Sequence, residues 1–308
     1  MKILFISLGC DKNLADSEEM LGLLTGSGHE IVDSEEDADA IVINTCCFIH
    51  DAKEESVNTI LEMAEYKKTG KCKALIVTGC MAQRYKEEIT QEIPEVDAVL
   101  GTTSYGDIVK ALNEAQAGHV FQEFRDINEL PEDSGRRVLT TGGHFGYLKI
   151  AEGCDKHCTY CIIPSLRGKF RSVPEERLLA QAEYMASQGV KELILVAQET
   201  TVYGTDLYGK KTLHILLKKL CQIKGIRWIR VLYCYPEEIY DELFQVMKEE
   251  KKICNYLDLP IQHASDRILK RMGRRTTRKQ LEDIIAKLRR ETPDIVLRTS
   301  LITGFPGE

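Results

Sequence analysis

Three apolar, β-branched runs near the start of the chain, KILFISLGC (2–10), DAIVINTC (39–46) and KALIVTGC (73–80), are each followed by an amphipathic helical stretch. This alternation restricts the fold more than any other feature. Strands that are apolar at consecutive positions are covered on both faces, and strand–helix–strand crossovers make neighbouring strands parallel. The second helix, expected within 51–69, sets Val57, Ile60, Leu61 and Ala64 on one face, with Lys, Glu and Asn on the other. The first part of the chain is therefore expected to be an open parallel α/β sheet.

Between about 117 and 145 the pattern lapses into QAGHVFQEFRDINELPEDSGRRVLTTGGH, polar and turn-rich, and then a second series begins. Strands are expected at 146–152, 191–197, 227–232, 256–260 and 295–302, with helices near 174–188, 211–224, 237–250 and 277–290. Five βα units with short loops imply a parallel partial barrel that works at the carboxyl ends of its strands. The expected division is a domain over 1–130, a linker over 131–145 and a second domain over 146–308. The sequence stops at GFPGE directly after the fifth strand, so the barrel is expected to lack its C-terminal end.

The longest apolar runs fall well short of the roughly 20 residues that span a bilayer, and the N-terminus lacks a signal-peptide pattern, so the expected location is the cytoplasm. Eleven cysteines in such a compartment point to metal or redox chemistry before disulfides. Neither a P-loop nor a GxGxxG after a strand is present.

Six of those cysteines are organised. The first three runs each end in one, Cys10, Cys46 and Cys80, at intervals of 36 and 34 residues. Parallel strands bring these positions to one carboxyl edge, where sheets of this kind bind ligands. Cys47, beside Cys46, competes for the middle place. The other three, Cys154, Cys158 and Cys161, form a C-x3-C-x2-C run in GCDKHCTYCIIPSLRGKFR, after the first strand of the second series.

A zinc knuckle completed by His157 lacks the second short-spaced pair such sites favour, and a redox dithiol at CTYC has no use for a third cysteine upstream. Three thiolates around a four-iron cluster leave one iron open, and an amino-carboxylate such as the methionine end of S-adenosylmethionine fits it. The run, with Tyr160 before its last cysteine, resembles the radical S-adenosylmethionine superfamily. SLGCDKN, INTCCF and VTGCMAQRY resemble the N-terminal domain of its methylthiotransferases, and the resemblance covers essentially the whole chain. It selects Cys46 over Cys47, where the family usually has glycine, and leaves Cys47, Cys72, Cys221, Cys234 and Cys254 as free thiols.

What the resemblance implies is specific. Two [4Fe-4S] clusters are expected, one held by Cys154, Cys158 and Cys161 as the catalytic centre, the other by Cys10, Cys46 and Cys80. The first cleaves S-adenosylmethionine to a 5′-deoxyadenosyl radical that takes hydrogen from an unactivated carbon; the second supplies sulfur, methylated by another S-adenosylmethionine. The resemblance puts Tyr160 against the adenine. From their places in the sequence, Gln198 and Glu199, at the end of the second core strand, are expected at the ammonium or as a solvated strand-end pair, Arg298, inside the fifth strand, at a cofactor carboxylate or a structural acid, and Gly304 close to the ligand or in a tight turn. The ligand thiols, near helix N-termini, are expected to be acidified.

AQETTVYGTDLYG and YLDLPIQHASDRILKRMGRR most resemble the branch that methylthiolates an aspartate β-carbon of ribosomal protein S twelve of the small subunit. The formal charge of −7, from 41 Lys and Arg against 48 Asp and Glu, also favours a protein substrate over a transfer-RNA one. A low-potential electron donor such as flavodoxin or ferredoxin is implied, and so is a C-terminal TRAM domain that this sequence does not contain. A metal-binding scaffold without enzymatic activity is disfavoured, because a carrier has no use for two open-iron triads. The basic stretch Arg167, Lys169 and Arg171 is expected to be a solvated loop.

Overall fold

The computed structural model describes residues 1–132 and 135–308; two positions of the expected linker, 133 and 134, lie outside the described residues. The chain divides into two compact units, 1–140 with 165–168, and 141–164 with 169–308.

The first unit is a six-stranded, all-parallel sheet: β1 (Lys2–Ser7), β2 (Glu30–Val32), β3 (Ala40–Thr45), β4 (Ala74–Gly79), β5 (Ala98–Leu100) and β6 (Phe121–Glu123), in the spatial order β2-β1-β3-β4-β5-β6. Every residue of β3 and β4 is buried, the reason both read as unbroken apolar runs. Helices α1 (Asp11–Gly26), α2 (His50–Thr69), α3 (Cys80–Glu92) and α4 (Ile108–Gln116) follow β1, β3, β4 and β5. Ile3, Val42, Ile76 and Leu100 from the sheet meet Met20, Leu24, Ile108 and Leu112 from α1 and α4 in one core.

The alternate residues of β3 and β4 face the other way, and α2 packs against those strands through Ile60, Met63 and Ala64. Leu61, expected on that inner face, is 48% exposed, because the buried stripe runs through Met63 instead. Strands β2, β5 and β6, each three residues long, were not expected; β6 lies in the segment that looked structureless. The expected linker is also partly structural, since Arg137 is buried with its guanidinium on the Glu18 carboxylate of α1 at 2.6 Å.

The second unit has a five-stranded parallel sheet in the order β13-β12-β11-β10-β7, formed by β7 (Phe145–Lys149), β10 (Glu192–Val196), β11 (Trp228–Val231), β12 (Ile253–Asp258) and β13 (Val296–Arg298). Sequential order with helical crossovers is the wall of a (βα) barrel. Two short strands, β8 (Ala151–Glu152) and β9 (Arg171–Ser172), pair antiparallel and pinch the base of the loop that carries Cys154, Cys158 and Cys161.

Crossover helices α6 (Glu175–Ser187), α8 (Leu213–Cys221), α9 (Asp241–Glu249) and α11 (Arg278–Glu291) were all expected; α5 (Ile163–Arg167), α7 (Thr205–Tyr208) and α10 (Asp266–Arg271), six residues or shorter, were not. Thr277 and Gln280 close a reciprocal capping box at the start of α11. Among the described residues no helix is long and apolar enough to cross a membrane.

Candidate functional site

Cys10, Cys46 and Cys80 stand at the carboxyl edge of the first sheet. Cys10 precedes α1, Cys46 follows β3 directly, and Cys80 opens α3 directly after β4. Two glycines make the turns. Gly79, at φ +94°, would place a Cβ 2.2 Å from the Asn44 side-chain oxygen, and Gly9, at φ +90°, would place one 2.7 Å from Cys46 Cβ. Only glycine tolerates both the left-handed backbone and the contact.

Cys46 and Cys80 are buried in a polar network, and Cys10 is exposed beside them. Asn13 donates to the carbonyls of Leu8, at 3.2 Å, and Thr45, at 2.9 Å, which ties α1 to the ends of β1 and β3. Ser56 of α2 accepts from the Cys46 N–H at 3.0 Å and donates to its carbonyl at 2.8 Å, fixing that peptide from both sides. Cys46 and Cys10 lie near enough for their charges to interact, and so do Cys80 and each of them. Cys47 turns elsewhere: its thiol donates to the Cys80 carbonyl at 3.3 Å, and Arg84 lies beside it.

Arg167 belongs to the same network. It is 3% exposed and bonds to Asp16 of α1 at 2.8 Å and to Asn13 Oδ1 at 2.6 Å. The expectation of a solvated basic loop fails for this residue, because two polar side chains of α1 receive its guanidinium; Lys169 remains exposed. Asn13, Asp16 and Ser56 were not picked out from the sequence. For Asn13 and Asp16 the available signal was a polar helix start, CDKNLADSEE, opening directly on Cys10; Ser56 carried none.

In the second unit Cys154 and Cys158 are buried, Cys161 is partly exposed, and each interacts with the others' charge. A cavity of about 260 Å³ opens beside Cys154 and Cys158, walled in part by Lys156, Glu199, Tyr235 and Arg274. Tyr235 Oη lies 3.7 Å from Cys158 Sγ, and the Arg274 guanidinium stacks 4.3 Å over the same ring. Tyr160 sits edge-on to Phe305 of GFPGE, with ring centroids 6.3 Å apart.

Gln198 and Glu199 lie in the loop after β10, which ends at Val196. Glu199 is 1% exposed; its Oε1 accepts from Thr201, while its Oε2 and the buried Oε1 of Gln198 make no hydrogen bond. Acceptors left bare in a buried site await a donor, and an ammonium supplies several. Arg298, its side chain 59% exposed, pairs with the buried Asp258 at 2.7 Å, the structural acid among the two expected partners. Gly304 has φ +71°, the left-handed backbone of a turn, and open space where a Cβ would stand.

Four of the six triad thiols, Cys46, Cys80, Cys154 and Cys161, are shifted opposite to the expected acidification. Burial pushes Cys80 and Cys154 up to about 12 and also raises Cys46 and Cys161. Arg167 works against burial at Cys80, and the Lys156 N–H does so at Cys154. Metal binding at these thiols must therefore expel protons. Three converging thiols in each unit, bare acceptors at Gln198 and Glu199, and a cation within 3.6 Å of Cys80 Sγ suit an anionic cluster in each place and an amino-acid ligand in the second. Among the described residues no three His, Cys, Asp or Glu are gathered as ligands of a single metal ion.

Burial also raises Glu199, to about 8. An unfolded carboxyl ionises in the ordinary range while the folded one holds its proton, so the stability this acid contributes at low pH is lost progressively as pH rises to about 8. Urea unfolding of the metal-free chain between pH 5 and 9 should show a loss from this source on the order of 3–5 kcal/mol, and Glu199→Gln should remove it. Parallel pH profiles for the two proteins would contradict this.

Residues 2–101 match the family described as Uncharacterized protein family UPF0004, and residues 148–308 match the Radical SAM superfamily. The chain is 67% identical over 308 residues to a ribosomal protein uS12 methylthiotransferase RimO of Lachnoclostridium phytofermentans, covering all of this chain and 70% of that protein. It is 53% identical to a RimO of Clostridium botulinum and 52% identical to one of Clostridium perfringens, covering 69% of each. Among solved structures it resembles the radical S-adenosylmethionine methyltransferase TsrM of Kitasatospora setae, with a TM-score of 0.68 at 12% identity over all of this chain and 68% of that one. It also resembles the cobalamin-dependent radical enzyme OxsB, with a TM-score of 0.62 at 15% identity over 98% of this chain and 49% of that one. At those identities the likeness concerns the fold.

Proposed function

Because the chain belongs to the RimO family of radical S-adenosylmethionine methylthiotransferases, we propose that it inserts a methylthio group at the β-carbon of an aspartate of ribosomal protein uS12 in the cytoplasm. The observation that carries this reading is the pair of thiol triads, each at the carboxyl edge of its own parallel sheet. One triad alone would suit a simple radical enzyme; two divide the work between hydrogen abstraction and sulfur delivery.

Cys154, Cys158 and Cys161 would hold the cluster that, with S-adenosylmethionine, supplies a carbon radical able to take hydrogen from an unactivated C–H. The chain's own groups orient that ligand. The bare oxygens of Gln198 and Glu199 receive its ammonium, and proximity to the cation keeps Glu199 ionised where burial alone would protonate it. Tyr160, beside Phe305, offers an aromatic face to the adenine.

Cys10, Cys46 and Cys80 would hold the second cluster, the source of the sulfur, with Asn13 and Ser56 fixing the peptides on which the thiols ride. Electrons come from a low-potential donor of the flavodoxin or ferredoxin class. No Ser/His/Asp-type proton relay is required, since the C–H bond is broken homolytically. Anaerobic incubation of the reconstituted chain with uS12, S-adenosylmethionine, sulfide and a strong reductant should raise the mass of uS12 by one methylthio group in place of a hydrogen. Formation of 5′-deoxyadenosine with no such adduct would contradict the proposed substrate.

A further inference from the structure

We propose that Arg167, although it follows the core cysteine loop in sequence, is a positioning residue of the N-terminal cluster, and that Arg167 and Asp16 together set that cluster's reduction potential. The inference rests on the reading that Cys10, Cys46 and Cys80 hold a cluster. Arg167 groups with the first unit and is 3% exposed. Its Nη1 donates to Asp16 Oδ2 at 2.8 Å, and its Nη2 donates to Asn13 Oδ1 at 2.6 Å and to Cys80 Sγ at 3.6 Å. Asn13 is itself held by the carbonyls of Leu8 and Thr45, so the fork has little freedom.

Cys46 and Cys80 are buried while Cys10 is exposed, so two of the three thiolates carry negative charge out of water, and a buried anion is tolerated only beside a cation or strong donors. Arg167 supplies both: a charge that does not titrate and a rigid fork, one prong on the acid and one on the ligand sulfur. Its field also reaches Cys46, where it opposes the effect of burial. Reduction adds one more negative charge, so a cation and an N–H···S bond favour the reduced state and raise the potential, while a carboxylate at the same distance lowers it. Asp16 holds the guanidinium in place and partly cancels its field. The two residues therefore act on the potential with opposite sign.

The test uses the full chain carrying Cys154→Ala, Cys158→Ala and Cys161→Ala, so that the N-terminal cluster is the one observed, in a redox titration followed by electron paramagnetic resonance. Arg167→Met should move the midpoint to more negative potential, Arg167→Lys should move it less in the same direction, and Asp16→Asn should move it the opposite way. Loosened packing would not produce opposite signs. An unchanged midpoint and spectrum in both Arg167→Met and Asp16→Asn, or shifts of the same sign, would overturn the proposal. Should Arg167→Met fail to fold or load iron, judged by circular dichroism and iron content, Arg167→Lys and Asp16→Asn decide by the same criterion. A parent protein without iron would instead overturn the two-cluster reading, and this inference with it; a loaded parent with unmoved potentials sinks the inference alone.

Discussion

Anaerobically reconstituted protein is expected to hold about eight irons per chain, and the variant with Cys154→Ala, Cys158→Ala and Cys161→Ala about four. The expectation follows from two triads built on different sheets, each closed by its own local structure. The first is set by the turns at Gly9 and Gly79 and by the bonds of Asn13 and Ser56. The second is set by a loop whose base is pinched by an antiparallel pair of short strands. Nothing in the first set of bonds involves residues 154–161, so emptying the core site should leave the N-terminal cluster spectrum intact. A triple variant that retained no iron, or a wild-type chain that took up only zinc, would contradict two separate clusters.

The second large effect concerns which triad does what. Cys10→Ala, Cys46→Ala and Cys80→Ala proteins should still convert S-adenosylmethionine to 5′-deoxyadenosine under strong reductant, at rates within a few-fold of the parent, while insertion of sulfur is abolished. The bare acceptors at Gln198 and Glu199 and the Tyr160 ring belong to the second unit, with Cys154, Cys158 and Cys161, so ligand binding and cleavage are expected to need that unit alone. Chromatographic quantitation of 5′-deoxyadenosine beside mass analysis of uS12 separates the two activities. Equal loss of cleavage from either triad would mean the roles are not divided as argued.

Much of this was legible in the sequence because burial and spacing leave strong marks. β3 and β4 are buried at all six positions, and that forces an unbroken apolar run. The six organised cysteines announce themselves through strand-end placement and short spacing; Cys10, Cys80 and Cys154 each follow a glycine with positive φ, a second mark visible in GC pairs. The three-residue strands β2, β5 and β6 carry too few side chains to show a period.

Arg167 was misread because RGKFR has the composition of a solvated loop, and the partners that bury it stand 151 and 154 positions away in the chain. No local pattern encodes such a pairing. The acidity of Cys46, Cys80, Cys154 and Cys161 was misjudged on magnitude. A helix N-terminus contributes about 1 kcal/mol, whereas burial that lifts Cys80 from 9 to about 12 corresponds to about 4 kcal/mol. The larger effect wins, and burial depends on tertiary packing that spacing does not reveal. Arg298 shows the same limit: a charge inside an expected strand had to find a partner, but that the partner is Asp258 on the adjacent strand follows only from the register of β12 against β13.

The most direct test of the central claim is mass spectrometry of ribosomal proteins and of transfer RNA from cells lacking this protein, compared with the parent cells. The account predicts that uS12 loses one methylthio group while the methylthiolated adenosines of transfer RNA are unchanged. Loss of the group from transfer RNA, with uS12 unaltered, would contradict it.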